Sequence, residues 1–202
     1  MKEESNKKTK KHKGRTRTYQ EIAEQLIGSI TINIANVSLN QEEAIEKIYK
    51  LIKKARFIIT TGKGRSGYIA QFFANRLGHI EGLGKVWFVD DSTAPGAYES
   101  DLVIMISGSG ETKSQKENAK TAKKDGAKLI VITSYPESAI GKLADIVIVI
   151  SGRDIGESES VLPLGTKFEL TVLVILEALN GYIIEKDEIS EKVIKDRHRN
   201  LE

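Results

Sequence analysis

The chain has no cysteine. That excludes disulfides, thiolate metal ligands and a thiol nucleophile. Its three histidines, His12, His79 and His198, are too scattered to suggest a metal cluster, so metal-independent chemistry is favoured. No apolar run approaches the roughly 18 uninterrupted residues that span a bilayer. The first seventeen residues are almost wholly polar and do not read as a secretory signal. A soluble, cytoplasmic protein without membrane contact is expected.

What is present suits one α/β domain: 202 residues, 40% of them hydrophobic. The net charge of +3 is unevenly spread. Residues 1–17 hold eight Lys or Arg against two Glu, a local +6, so the remainder, with 23 basic and 26 acidic residues, carries −3. Such a basic block can touch nucleic acid or an anionic surface, but it is more often a solvated, disordered tail. The expected organisation is therefore a basic tail over 1–17 and a single domain over 18–202.

Apolar residues at Ile22, Ala23, Leu26, Ile27, Ile30, Ile34 and Val37 keep the three-to-four spacing of an amphipathic helix from Tyr19. A second helix is predicted from Asn40, as N-cap with Glu43 three residues on, to about Ala55, with Ile45, Ile48 and Ile52 inward. Five short β-rich runs follow: Phe57 to Thr60, Val86 to Val89, Leu102 to Ile106, Leu129 to Thr133 and Ile146 to Ile150. Most are apolar throughout, as strands covered on both faces are. Helical patterns alternate with them over 66–80, 114–125, 138–144 and 166–184, and a short polar helix is read over 187–198. The 166–184 pattern is apolar nearly all round, so that helix is either central or shared between subunits. The alternation predicts a three-layer α/β/α sandwich on a five-stranded parallel sheet, with ligands beyond the carboxyl ends of the strands.

Two loops at such ends carry the chemistry. Gly62-Lys63-Gly64-Arg65-Ser66-Gly67 follows the first strand and opens a helix. It matches the dinucleotide pattern G-x-G-x-x-G, with Asp90 about twenty residues on, and equally a plain tight turn. Ser107-Gly108-Ser109-Gly110-Glu111-Thr112 follows the third strand. Its glycines allow close backbone approach, while its hydroxyls and the next helix's free N–H groups offer donors to an anion. Converging at a switch point in strand order, the two loops would hold one phosphate through Ser66, Ser107, Ser109 and Thr112. Gly64, Arg65, Gly108, Gly110 and Glu111 would line the rest of the site. Against this, Thr112 or Ser114 can simply cap the helix, and Ser114 with Glu117 fits a capping box. Neutral donors at a helix end suit a sugar phosphate.

Gly64-Arg65-Ser66-Gly67, Phe73 to His79, Ser107 to Thr112, Pro163-Leu164-Gly165-Thr166-Lys167-Phe168-Glu169 and Arg197-His198-Arg199-Asn200-Leu201 together resemble the sugar isomerase (SIS) family, and within it the 6-phospho-3-hexuloisomerases. The resemblance runs in order from about residue 20 to the end. It implies a flavodoxin-like fold, no cofactor, a homo-oligomer, usually a tetramer, and interconversion of D-arabino-hex-3-ulose 6-phosphate with fructose 6-phosphate. Where family members carry a Gly-Glu-Thr-Thr-Thr-Pro-like loop, this chain has Asp90-Asp91-Ser92-Thr93-Ala94-Pro95.

Moving a carbonyl from C3 to C2 needs a base to take the C2 proton and a second proton carrier. Glu169, near the start of an apolar helix where partial burial raises a carboxyl's pKa, is the candidate base. Thr166-x-x-Glu169 is also a capping box, which would stabilise the helix without chemistry. His79 and His198 compete for the second role. His79 ends the helix that Ser66 opens, about 20 Å away at 1.5 Å per residue, so it can serve only a neighbouring chain's phosphate. Arg65 can neutralise phosphate or enediolate, or form an exposed salt bridge.

Overall fold

The computed structural model describes residues 16–152 and 165–198. Where aliphatic and β-branched residues run unbroken, strands form: β1 (Phe57–Gly62), β2 (Lys85–Phe88), β3 (Leu102–Ile106), β4 (Lys128–Thr133) and β5 (Ile146–Val149). They lie parallel in the order β2-β1-β3-β4-β5, the flavodoxin-like arrangement. All five strands read from the sequence are present, with ends moved by at most two residues.

Every residue of β3 is buried because both of its faces are covered. Strand alternation divides the core in two. Ile58, Ile104, Ile106, Ile130 and Ile132 face one side, against Ile48 and Ile52 of α2 (Glu42–Lys54), Phe73 and Leu77 of α3 (Arg65–Gly78), and Val172 and Leu176 of α5 (Thr166–Lys186). Val103, Met105, Leu129 and Val131 face the other side, against Ala119 and Ala122 of α4 (Lys113–Lys124) and Ile140. The small alanines let α4 lie close on the sheet.

A capping box between Thr18 and Glu21 starts α1 (Tyr19–Asn40). Its apolar stripe is only partly satisfied: Val37 is buried, whereas Ile27 and Leu39 are 64% and 82% exposed. Asn40 is not the predicted N-cap of α2. It ends α1, its side-chain amide donating to the Asn36 carbonyl. The residue between the helices, Gln41, turns its side chain to the edge strand β5, accepting from the Val149 N–H and donating to the Val149 carbonyl, both at 2.9 Å. The amide thus completes the edge as a neighbouring strand would.

Two further expectations are corrected. The helix predicted over 138–144 is a single 3-10 turn, Gly141–Leu143. Gly141 packs so closely on the Pro136 backbone that a Cβ would collide with it, and Ser138 Oγ accepts from the Gly141 N–H, closing a turn rather than extending a helix. The last helix, α6, is shorter than read, Glu191–Asp196, with Ser190 as its cap. The basic tail as far as residue 15, most of the 151–165 loop including Pro163 and Leu164, and Arg199-Asn200-Leu201 lie outside the described residues. No helix among the described residues is long and apolar enough to cross a membrane.

At the amino ends of β1 and β3, Asp101 is 1% exposed and receives two bonds from Arg56, at 3.0 and 2.8 Å, and the N–H groups of Phe57 and Tyr98. Burial pushes its carboxyl up, but Arg56 and these N–H groups outweigh that and hold it below its ordinary value of 3.8. Because the folded value is the lower one, the stabilisation is complete above about pH 4 and is lost as pH falls through the folded pKa. Asp101→Asn is expected to flatten the acid limb of a stability-versus-pH curve, measured by urea unfolding. Gln41→Ala, which removes both Val149 bonds, is expected to cost about 1–2 kcal/mol in the same assay with an unchanged m-value.

Candidate active site

In a 2-1-3-4-5 sheet the direction of winding reverses between β1 and β3, and the connections leaving those strands part to opposite faces. The two glycine loops identified from sequence are those connections. Gly62 pairs with Ile106 at the carboxyl rim, so the loops begin side by side. α3 and α4 then start at the same rim with their positive dipole ends toward the crevice.

Each loop has its own device for exposing backbone. Gly64, the N-cap of α3, has φ +58°, and a side chain there would meet open space. Its bare backbone therefore faces outward, and Ser66 follows in the first turn. In the second loop a turn is closed by the Gly110 N–H donating to Ser107 O at 3.0 Å. Gly110 has φ +63°, and a Cβ would overlap Ser138. Gly108 O accepts from the Ser134 N–H at 3.1 Å and from Thr133 Oγ1 at 3.3 Å. Ser109 Oγ accepts from the Glu111 N–H at 3.3 Å.

The capping alternatives are not realised. α4 begins at Lys113, which puts Ser114 inside the helix, and Thr112, the N-cap, makes no side-chain capping bond. Glu111 turns toward the following loop: its carboxylate accepts from the Ala139 N–H at 2.7 Å and pairs with Lys116 at 3.3 Å. The Ala139 bond first, then Lys116, holds that carboxyl below its ordinary range against the opposing effect of burial. Glu111 thus braces the cradle loop from outside.

Glu169 likewise does not cap its helix. Gly165 is the N-cap of α5, without a side-chain bond, and Arg65 from the other loop reaches both members of the expected box. Arg65 Nη1 donates to Thr166 Oγ1 at 3.3 Å, and Arg65 Nη2 lies 3.0 Å from Glu169 Oε2. The Glu169 side chain is 12% exposed and the guanidinium half-exposed. The carboxylate is thus enclosed, and it is held by a cation rooted in the first turn of α3. The salt bridge weighed for Arg65 exists, with the candidate base as its partner. On the other side of the crevice, Lys63 and Asp90 pair at 2.9 Å, tying the loop after β2 to the loop after β1.

The histidines do not compete; they meet. His79 and His198 stack with ring centroids 5.0 Å apart, and Arg197 donates to the Gly78 carbonyl at 3.4 Å, docking the chain end on α3. The pair lies at the carboxyl end of a 14-residue helix whose amino end is the candidate site, about 20 Å away. A hollow of about 880 Å³ also lies away from the rim. It runs between α1, α2 and α5, lined by Ile34, Val37, Ile45, Val174, Leu179 and Tyr182. Among the described residues no three His, Asp or Glu side chains gather as a metal site.

Sequence reasoning missed two polar residues at this rim. Thr61, the penultimate residue of β1, and Gln115, in the first turn of α4, are both buried and bonded to each other at 3.0 Å. Ser107 Oγ is also buried and has no partner among the described residues. The signal available was a pair of threonines, Thr60 and Thr61, closing a strand that begins Phe57-Ile58-Ile59, and a T-x-x-Q pattern at Thr112.

Fold and rim together define a flavodoxin-like α/β domain with two glycine loops and two helix amino ends at its switch point. The chain belongs to the SIS domain family, which it matches over residues 51–176, a span that includes all five strands, both glycine loops and the first half of α5. It is 35% identical over 187 residues to the 3-hexulose-6-phosphate isomerase of Methylomonas aminofaciens, covering 91% of this chain and 98% of that protein. It is 36% identical over 157 residues to the 3-hexulose-6-phosphate isomerase of Methanocaldococcus jannaschii, 78% of this chain and 83% of that one. A crystal structure from Methanococcus jannaschii, described as inferring a 3-hexulose-6-phosphate isomerase function, superposes with a TM-score of 0.79 at 32% identity over 89% of this chain and 98% of that chain.

Gly110→Ala places a side chain where the backbone is left-handed and Ser138 already sits. It is expected to cost about 2 kcal/mol or more in urea unfolding.

Proposed function

We propose that the protein is a cytoplasmic phosphosugar isomerase that interconverts D-arabino-hex-3-ulose 6-phosphate and fructose 6-phosphate by metal-free proton transfer through a 2,3-enediol. The observation that carries this reading is the enclosed Glu169 carboxylate, paired with Arg65 at the amino end of α3, the helix that the first glycine loop opens. The names borne by the relatives support the choice of sugar.

The phosphate sits between the starts of α3 and α4, held by Ser66, Ser107, Ser109 and Thr112 and by backbone N–H groups; Gly64, Gly108, Gly110 and Glu111 shape the loops around it. With the phosphate anchored, the sugar lies along the crevice toward Glu169. The carboxylate takes the C2 proton, the C2–H electrons form the C2=C3 bond, and O3 gains the charge that Arg65 and a proton donor stabilise. Return of a proton to C3 and loss of the O2 proton leave the carbonyl at C2. Atoms balance, and no oxidant is consumed.

The proton donor comes from His198 or His79 of a neighbouring subunit, since the stacked pair is about 20 Å from its own chain's crevice. Apolar residues left partly exposed on α1 and α5, among them Ile27, Ile32, Val174 and Tyr182, and the apolar hollow beside them supply surface for a homodimer or homotetramer with active sites at subunit boundaries. The basic tail plays no part in this chemistry.

The purified protein is expected to convert hex-3-ulose 6-phosphate to fructose 6-phosphate in EDTA, and to incorporate solvent deuterium when run in deuterated water. Absence of conversion overturns the reading. Glu169→Gln is expected to lower kcat about 10²–10⁴-fold. Co-assembly of Glu169→Gln subunits with His198→Ala subunits is expected to regain activity that neither variant has alone, because some crevices then combine both intact groups. No regain would remove His198 from the neighbour's site.

A further inference from the structure

Gln115 is the third residue of α4, and with Thr112 as N-cap it completes a T-x-x-Q sequence that ordinarily folds into a reciprocal capping box. The box is not made. The Gln115 side chain, 0% exposed, instead accepts from Thr61 Oγ1 through its Oε1 at 3.0 Å. Fixing the oxygen end directs the NH2 end away from β1, and Nε2 is buried without a partner among the described residues.

Strand alternation shows what lies beside it. Val103 and Met105 of β3, and Leu129 and Val131 of β4, face α4. Thr61 pairs in register with Met105, which pairs with Val131, and the Ser107 N–H donates to Ile132 O, so Ser107 follows Met105 by one same-face step, beside Thr133 and diagonal to Thr61, on the side of the sheet that α4 covers. Thr61 is bonded to Gln115, and Thr133 Oγ1 is bonded to Gly108 O and the Tyr135 N–H. Of the polar atoms on Thr61, Ser107, Gln115 and Thr133, the Ser107 Oγ and the Gln115 Nε2 are left over, each buried. A buried polar atom without a bond costs about 1–3 kcal/mol, so leaving two in one place needs a reason.

We propose that Gln115 is a positioning residue for the phosphate, acting through Ser107. When a phosphorylated sugar binds, Ser107 Oγ accepts from Gln115 Nε2 and turns its own proton to a phosphoryl oxygen. The chain then runs from the Thr61 hydroxyl through the Gln115 amide and the Ser107 hydroxyl to the anion, each bond polarising the next. Both leftover atoms are satisfied in one step. Because Gln115 is engaged below, the first turn of α4 stays uncapped and keeps its N–H groups for the same anion. This inference rests on the cradle assigned under Proposed function.

The test is a double-mutant cycle read by calorimetric titration with fructose 6-phosphate, repeated with inorganic phosphate. Gln115→Met keeps the side-chain length, removes the N–H donor without adding charge, and is expected to raise Kd about tenfold in the wild-type background but to change it less than twofold on top of Ser107→Ala. The paired apolar change Thr61→Val with Gln115→Leu leaves no buried polar atom unpaired on either residue, so it is expected to keep the wild-type unfolding midpoint and still bind about tenfold more weakly. A merely structural role would show no such weakening. Equal effects of Gln115→Met in both backgrounds, or wild-type affinity in the paired variant, overturn the relay. If Ser107→Ala alone leaves both affinities unchanged, the cradle assignment itself fails, which separates the two conclusions.

Discussion

The structure depends on one topological constraint: β1 lies between β2 and β3, so the chain must wind in one direction from β1 and in the other from β3. The connections leaving those two strands therefore part at the carboxyl rim and open a crevice that neither closes. Two helices start there, and their unbonded N–H groups aim into the same small space. The rest of the chain serves to keep that rim in place. Arg56 and Asp101 bind β1 to β3 at the opposite end, Gln41 closes the β5 edge, and the two apolar clusters hold helices to both faces.

At the rim, helix-capping sequences have been diverted from capping. Thr166 and Glu169 could have closed the first turn of α5, and Thr112 and Gln115 that of α4. In each case a partner from elsewhere in the chain takes the side chain instead: Arg65 for the first pair, Thr61 for Gln115. An exposed cap is worth about 1 kcal/mol, whereas an enclosed carboxylate beside a guanidinium, or a buried amide bonded to a hydroxyl, cannot be left unpaired without a larger cost. The long-range bond therefore wins. Two helix starts consequently carry polar side chains engaged with distant residues rather than with their own backbone.

The strands were legible because a parallel sheet covered on both faces needs runs such as Leu102 to Ile106, which little else in a chain of this composition explains. Both glycine loops were legible because their positions after β1 and β3 follow once the strands are placed. The errors fell where local pattern and tertiary demand differ. Asn40 looked like a cap, but the junction of α1 and α2 is set by Gln41 reaching the β5 edge. The 138–144 pattern looked helical, but Pro136 and Gly141 force a tight return. The apolar stripe of α1 was legible from its spacing, and within one chain it stays partly open.

By itself, the sequence determined the alternation of strand and helix, the parallel sheet and the two glycine loops, because each is encoded by residues close together along the chain. Only the tertiary structure decided that Glu169 meets Arg65, that Gln115 meets Thr61 and that His79 stacks on His198. These pairs join residues 54 or more positions apart. The same short motifs satisfy a local cap equally well, so nothing in the neighbouring residues distinguishes the two outcomes. The choice is made by burial, which removes water as a competing partner and makes the distant bond the one that must form.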